Sequence, residues 1–413
     1  MNMRSPAEPT RQPFFTISAY PLIALALVGF VVIAYRFLFG LGAVTNLSDG
    51  YPWGIWKAIS VAAGVALATG GFTTAALVHV FHRRQFESIL RLSLLVALLG
   101  YTFGTTSLLV DLGKYYNIWH PILPSMWQGD SVLFEVSMCI MIYTMILVLE
   151  FVPILCERFI GRVNLPGPLA ALNDATDALL RLSERILDKV LTVFLLVGLV
   201  LSCMHHSSLG ALMLVAPYKL HALWYTPVLP LLFLLSVFAV GFAAVTCVSL
   251  ITSWRLGRKP DMHVLAPLNQ YVFVFLWIYF IAKISDVAVR SALPLLFTPS
   301  PEALMFAIEV GLGVVVPLAM LSMDRVRQSP VGLFTACILM VVGIVINRTN
   351  VFLVAYQSFY TDVRYFPSAG EILTILGLFA AFILLFRILI TVLPVLPPET
   401  AGSCATGREL TEH

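Results

Sequence analysis

The chain has 413 residues, of which 59% are hydrophobic and only 11% charged, and its mean hydropathy is +0.92. That balance excludes a soluble globular enzyme of this size and points to a polytopic membrane protein. The formal net charge of +3 is distributed as a topology signal with no nucleic-acid footprint. The six cysteines stand singly, without CxxC spacing, which argues against an intrinsic iron-sulfur cluster, a zinc or other metal site, or a disulfide framework.

A spanning helix needs about 20 apolar residues. Ten segments meet that need, over approximately 19–39, 54–80, 90–112, 131–151, 187–206, 228–254, 265–289, 303–323, 331–347 and 371–393. They are flanked by a tail over 1–18 and a polar tail over 394–413, expected to be disordered. The first segment is too long for a signal-peptide core and is read as a retained helix. Basic residues crowd alternate connections: Arg4 and Arg11; Arg83, Arg84 and Arg91; Arg158, Arg162, Arg181, Arg185 and Lys189; Arg255, Arg258 and Lys259; Arg325 and Arg327; Arg408. The positive-inside rule puts these, and both termini, in the cytoplasm.

In chain order, the first segment leads into the run FGLGAVTNLSDGYPWGIWK, a turn-rich outer loop with Trp53 and Trp56 as interfacial anchors. Lys57 then reads either as a snorkelling lysine or as a cation facing an outer-leaflet ligand. The third segment ends at Asp111. An aromatic loop with Tyr115, Tyr116, Trp119 and Trp127 follows, and the fourth segment opens with Glu135 already inside it. A carboxylate at that depth costs about 2.5 kcal/mol or more, so it is paired, faces a wet cavity or carries out proton chemistry.

The connection over 161–188 places Leu172, Leu179, Leu180 and Ile186 on one helical face, as expected of an amphipathic helix on the membrane surface. His205 and His206 end the fifth segment beside two serines, read as hydrogen-bonded structure or as functional groups on the side of Glu135. The apolar run over 208–218 is too short to span and is read as re-entrant or interfacial. Lys283 and Asp286, three apart in the seventh segment, are expected to meet as an ion pair. Glu309 enters the eighth. Arg348, Asp362 and Arg364 follow the ninth with Tyr360, Tyr365 and Phe366, and PSAGE opens the tenth at Glu371.

Asp111 precedes Glu135 by 24 residues and Asp286 precedes Glu309 by 23, while Trp53 and Trp224 stand at matching places. The expected fold is therefore an all-α integral membrane protein with two parallel four-helix repeats (about 19–158 and 187–323) and two further helices over 331–393. Its ionisable groups crowd the outer half. A transporter or channel, one alternative, would place binding groups at the midplane; an amphipathic molecule with its polar head near the outer surface fits better. The histidines lie at helix ends or in loops, which disfavours two stacked b haems. A haem-bearing cytochrome b, with His79, His82 and His263 around one inner haem, is the other alternative.

The runs FGLGAVTNLSDGYPWGIW, YTFGTTSLLVDLGKYYN, DSVLFE, MHHSSLGALM, YFPSAGEIL and LPVLPP resemble the HybB-type branch of the NrfD/polysulfide-reductase membrane-subunit family, over almost the whole chain. The resemblance implies a haem-free subunit of the bacterial inner membrane that exchanges electrons between a periplasmic ferredoxin-like iron-sulfur protein and a quinone, menaquinone or ubiquinone. It implies as partner a nickel-iron hydrogenase or a sulfur-metabolism enzyme, and no activity for this chain alone. Glu135 then matches a proton-relay carboxylate, with His205, Asp111 and Tyr115 on the quinone and proton route. Lys57, Trp53, His206, Asp286 and Glu309 are the candidate quinone-contacting residues. His206 departs from the glutamine expected in the hydrogenase branch, which bears on the partner's identity more than on the quinone chemistry.

Overall fold

The structure is a computed structural model, described here for residues 15–164, 166–215, 217–359 and 364–397. Most of the N-terminal tail, Tyr360, Asp362 and nearly all of the C-terminal tail lie outside these residues. Ten helices are long and apolar enough to cross a membrane: α1 (Ala19–Phe39), α2 (Lys57–His79), α3 (Arg84–Asp111), α4 (Val132–Phe159), α5 (Asn173–Leu212), α6 (Leu229–Arg255), α7 (Met262–Val289), α8 (Pro301–Ser322), α9 (Pro330–Val354) and α10 (Ala369–Val392). The chain is thus an all-α, multi-pass membrane protein. One end of the assembly gathers the loops with Trp53, Trp119 and Tyr365, called here the aromatic end; the opposite, basic end holds Arg83, Arg158 and Arg255.

Packing closes α2, α3, α4 and α5 into one four-helix ring and α6, α7, α8 and α9 into a second. The rings meet through α5 and α2 against α6. α1 and α10 pair with each other and lean on α3. The four-helix offset suggested by the Asp111–Glu135 and Asp286–Glu309 spacings is kept, but each bundle begins one helix later than the grouping of helices one to four. The reason lies in surface chemistry. α1 is the least buried span and, apart from Arg36 near its aromatic end, is almost wholly apolar, so it offers no polar stripe to a bundle. It approaches α10 closely at Gly29, where an added Cβ would lie 2.5 Å from Gly377 Cα.

Two further expectations are corrected. The amphipathic stretch is no separate surface helix: α5 runs unbroken from Asn173 to Leu212. Its first turns are tied to the basic end of α4, where Gly161 N donates to Asp177 Oδ1 at 2.5 Å and Cys156 Sγ to Leu180 O at 3.3 Å. The Gly161 amide and then Arg181 hold the Asp177 carboxyl below its ordinary pKa. The start of the apolar run over 208–218 is also no re-entrant loop: residues 208–212 form the last turn of α5, which puts both histidines inside the span.

Candidate functional site

Three polar clusters lie toward the aromatic end. The first surrounds Asp111, the last residue of α3. Lys57 Nζ at the start of α2 lies 2.7 Å from Asp111 Oδ2 and 5.1 Å from the Trp53 ring centroid. Lys57 is therefore paired rather than snorkelling. Asp111 is 3% exposed, and neither oxygen makes a well-directed hydrogen bond to a described residue. Arg36 on α1 is the second cation here. Its Nη2 donates to Leu112 O, and its guanidinium lies 4.7 Å from the Phe37 ring and 5.1 Å from the Tyr115 ring. Tyr115 thus reaches the Asp111 cluster through Arg36, packed edge-on to Phe37 at 4.7 Å.

The second cluster is on α4 and α5. Ser131 caps α4, and Glu135 follows in its first turn. Ser208 Oγ on α5 donates to Glu135 Oε1 at 2.6 Å. One turn away, His205 is fully buried, its ring centroid 6.0 Å from that of Tyr101 on α3. Neither ring nitrogen makes a well-formed hydrogen bond to a described residue, although the Val136 backbone lies beside it. Polar groups continue toward the basic end. Tyr101 Oη and Ser202 Oγ are 2.9 Å apart, the Tyr101 and Tyr143 rings meet edge-on at 4.5 Å, and Glu150 lies buried beside Gly198. Unpartnered buried polar atoms are satisfied in most proteins by water. Carboxylate, imidazole and hydroxyls thus succeed one another along the first bundle from the aromatic end toward the basic end.

The third cluster, in the second bundle, is closed. Glu309 on α8 receives Lys283 Nζ and Asn347 Nδ2 (2.7 Å) on Oε1, and Trp224 Nε1 (2.9 Å) and Asn350 Nδ2 (2.8 Å) on Oε2. The expected Lys283–Asp286 pair does not form. Asp286 instead binds Arg290, one turn on, at 2.7 Å and Thr226 Oγ1 at 2.5 Å. Arg290 takes Asp286 because i,i+4 places them on one face, and Lys283 is left to the carboxylate buried beside it. Arg348 lies over the Phe233 ring at 3.5 Å, donating to Asn347 Oδ1 and Ser236 Oγ. His206 turns from the first bundle toward Arg348, whose charge it feels.

The two glutamate sites correspond. Ser208 faces Glu135 as Asn350 faces Glu309, and His205 and His206 precede Ser208 at the spacing by which Asn347 and Arg348 precede Asn350. On the partner helix Lys283 stands three residues before Asp286, where Leu108 stands three before Asp111. The second site thus carries its own cation and the first does not. The structure joins Asp111, Lys57 and Trp53, with Tyr115 adjoining, and separately Glu135 with the α5 face bearing His205. Asp286, Glu309 and His206 belong to the second bundle or its boundary. An apolar cluster including Ala58, Val136, Leu209, Trp224 and Phe306 spans the aromatic ends of both bundles.

Arg36, Ser208, Asn347, Asn350 and the Tyr365–Glu371 pair were not singled out by sequence. The only available signals were the capping position of Glu371 and the echo between HHSS and NRTN. The cavity at the aromatic end, about 620 Å³, is lined by Tyr51, Glu302, Met305, Tyr356, Arg364 and Tyr365 among others; its volume suits a small organic ligand. Histidines from facing helices would be the ligands of a haem pair. The two buried ones, His205 and His206, are consecutive on one helix with ring centroids 5.3 Å apart. They cannot oppose each other across an iron, and no described histidine faces them from another span.

These features define a ten-span membrane protein with an open set of titratable groups at one end of its first bundle and a sealed counterpart in its second. A family model described as "Polysulphide reductase, NrfD" matches residues 43–360, and the chain belongs to that family. It is 34% identical over 381 residues to the "Probable Ni/Fe-hydrogenase 2 b-type cytochrome subunit" of Escherichia coli, covering 92% of this chain and 91% of the relative. It is 26% identical to the "Menaquinone reductase, integral membrane subunit" of Nitratidesulfovibrio vulgaris (89% and 88% covered) and 23% identical to a selenate reductase subunit of Mesobacillus selenatarsenatis (92% and 94%).

Proposed function

We propose that the chain is the quinone-reactive, haem-free membrane subunit of a respiratory oxidoreductase complex. In this reading the aromatic end faces the periplasm and receives electrons from an iron-sulfur partner, and both termini are cytoplasmic. The observation that carries the reading is the contrast between the two glutamate sites. Glu309 is saturated by four donors including an ammonium, a structural arrangement. Glu135 has a hydroxyl as its side-chain partner among the described residues, and stands near a buried imidazole whose nitrogens are unused. The names of the relatives, which belong to hydrogenase, selenate reductase and menaquinone reductase complexes, support an oxidoreductase partner and a quinone substrate.

Reduction of a quinone takes two electrons and two protons, and the chain's part is to hold the ring and supply the protons. Glu135 gives one to a quinone oxygen and regains it through Ser208 and His205, the role of a positioned general acid. Lys57 and Arg36 hold Asp111 in place, and their cationic donors stand ready for the oxygen on which negative charge develops. Quinol oxidation runs the same steps in reverse. The test is to isolate the chain with its copurifying proteins in mild detergent and follow electron flow to a soluble quinone. Quinone-coupled turnover with no b-type Soret band supports the reading. A dithionite-reducible haem spectrum, or substrate transport by the isolated chain in liposomes, overturns it.

A further inference from the structure

Glu371, in the first turn of α10, is a buried carboxylate that the steps above do not use. It is 1% exposed. Its Oε1 accepts from Asn46 N at 2.9 Å and its Oε2 from the Tyr365 hydroxyl. Its carbonyl accepts from Trp56 Nε1 at 2.7 Å, and its amide is capped by Ser368 Oγ. Tyr365 Oη also accepts from Ile55 N at 3.1 Å, which leaves one lone pair for a further donor. The Tyr365 ring stacks on Tyr51 and lines the 620 Å³ cavity at the aromatic end, where Glu302 and Arg364 form a loose pair at 3.9 Å.

On its other side the pair meets the Asp111 cluster. Gly54 packs against both groups; a Cβ there would lie 3.1 Å from Tyr365 Oη and 3.6 Å from Glu371 Oε2. Two residues on stand Trp56, bonded to Glu371, and then Lys57, bonded to Asp111. Asp111 is close enough for its charge to be felt at Tyr365 and at Glu371. Burial and the bond to Glu371 push the Tyr365 hydroxyl above its ordinary pKa, so it stays a protonated donor.

We propose that Tyr365 and Glu371 form a proton relay between the aromatic-end cavity and Asp111, and that they supply the quinone site from that face. The proposal rests on the quinone reading. A hydronium in the cavity gives a proton to Tyr365 Oη and becomes water as the hydroxyl's own proton passes to Glu371 Oε2. The carboxyl then passes its proton to Asp111, directly or through a water, and returns to carboxylate. One O–H bond breaks for each that forms, and one proton moves inward. Asn46 holds the carboxylate and Ser368 the backbone amide of Glu371, while the absent side chain at Gly54 keeps the path clear.

The experiment uses the intact complex carrying Glu371→Gln or Tyr365→Phe, the latter keeping the stacked ring. The relay predicts assembled complexes whose quinone turnover falls about tenfold or more, with electron transfer from the partner to a soluble acceptor unchanged, and a larger solvent isotope effect. It also predicts no further loss in the double variant, and partial recovery of Glu371→Gln with millimolar formate or azide, small acids able to enter the cavity. Normal quinone turnover in either assembled variant overturns the relay. So does a loss matched with the soluble acceptor and not rescued, which makes Glu371 a stitch between loops. If Glu135→Gln abolishes turnover while these variants do not, the relay alone fails. If the wild-type complex reduces no quinone, the underlying reading fails and the relay with it.

Discussion

Replacing Lys283 with methionine tests whether the second glutamate site is structural. The ammonium is buried against Glu309, and breaking a buried pair by removing one partner typically costs about 3–5 kcal/mol. Glu309 keeps its bonds from Trp224, Asn347 and Asn350, which places the expected loss near the lower end, about 3 kcal/mol, or roughly two decades in the unfolding equilibrium. The assay is detergent-induced unfolding of the purified chain followed by tryptophan fluorescence. The double variant Lys283→Met/Glu309→Gln removes both charges. It is expected to recover about 2 kcal/mol, a coupling of the size found for buried neighbours. Quinone turnover per assembled complex should stay within about twofold of wild type. A Lys283→Met variant that is as stable as wild type, or a strictly additive double variant, refutes the argument. A selective loss of quinone turnover would move the second bundle into the mechanism.

Glu135→Gln preserves a group to which Ser208 can donate, so assembly is expected to survive while quinone turnover falls at least about tenfold, general acid–base transfer being worth about 10²–10⁴; Glu309→Gln should be milder. His205→Gln removes no well-formed hydrogen bond, so stability should change by about 1 kcal/mol or less. Its quinone kinetics should slow while a soluble acceptor is still reduced, and unchanged kinetics would return the residue to a packing role. Gly377→Val drives a side chain into Gly29 on α1, costing about 1–3 kcal/mol as overpacking, seen as earlier unfolding with turnover per folded complex unaltered. Cysteine crosslinkers in the loops containing Trp53, Trp119, His221 and Tyr365 should capture an iron-sulfur partner, and capture only from the connection over 161–188 would reverse the proposed orientation.

Hydropathy was enough to place ten spans, because a bilayer imposes a length of apolar chain that needs no tertiary information. It could not show which helices close a bundle. α1 and α10 have the same lipid-like composition as other spans, and their pairing depends on a glycine contact 348 residues apart in sequence. Charged residues were visible one by one, but their partners were not. Helical spacing offered Lys283 to Asp286, whereas the fold supplied Arg290 to one and Glu309 to the other. Uncharged partners such as Ser208, Asn347 and Asn350 carry no signal until a carboxylate is set beside them. Arg36 and Glu371 looked like boundary markers, since only packing shows that both are buried against the Asp111 cluster. In DSVLFE and MHHSS the sequence reading reached residues that the fold brings close, Glu135 and the histidine-bearing face of α5.

The most direct test of where the quinone reacts is photolabelling of the purified complex with an azido-naphthoquinone, competed with unlabelled quinone and mapped by peptide sequencing. Competable label on the segments around Trp53–Lys57, Asp111–Tyr115 and Glu135 is the result predicted for a site in the first bundle. Competable label confined to α6–α9, or none that quinone displaces, would contradict it.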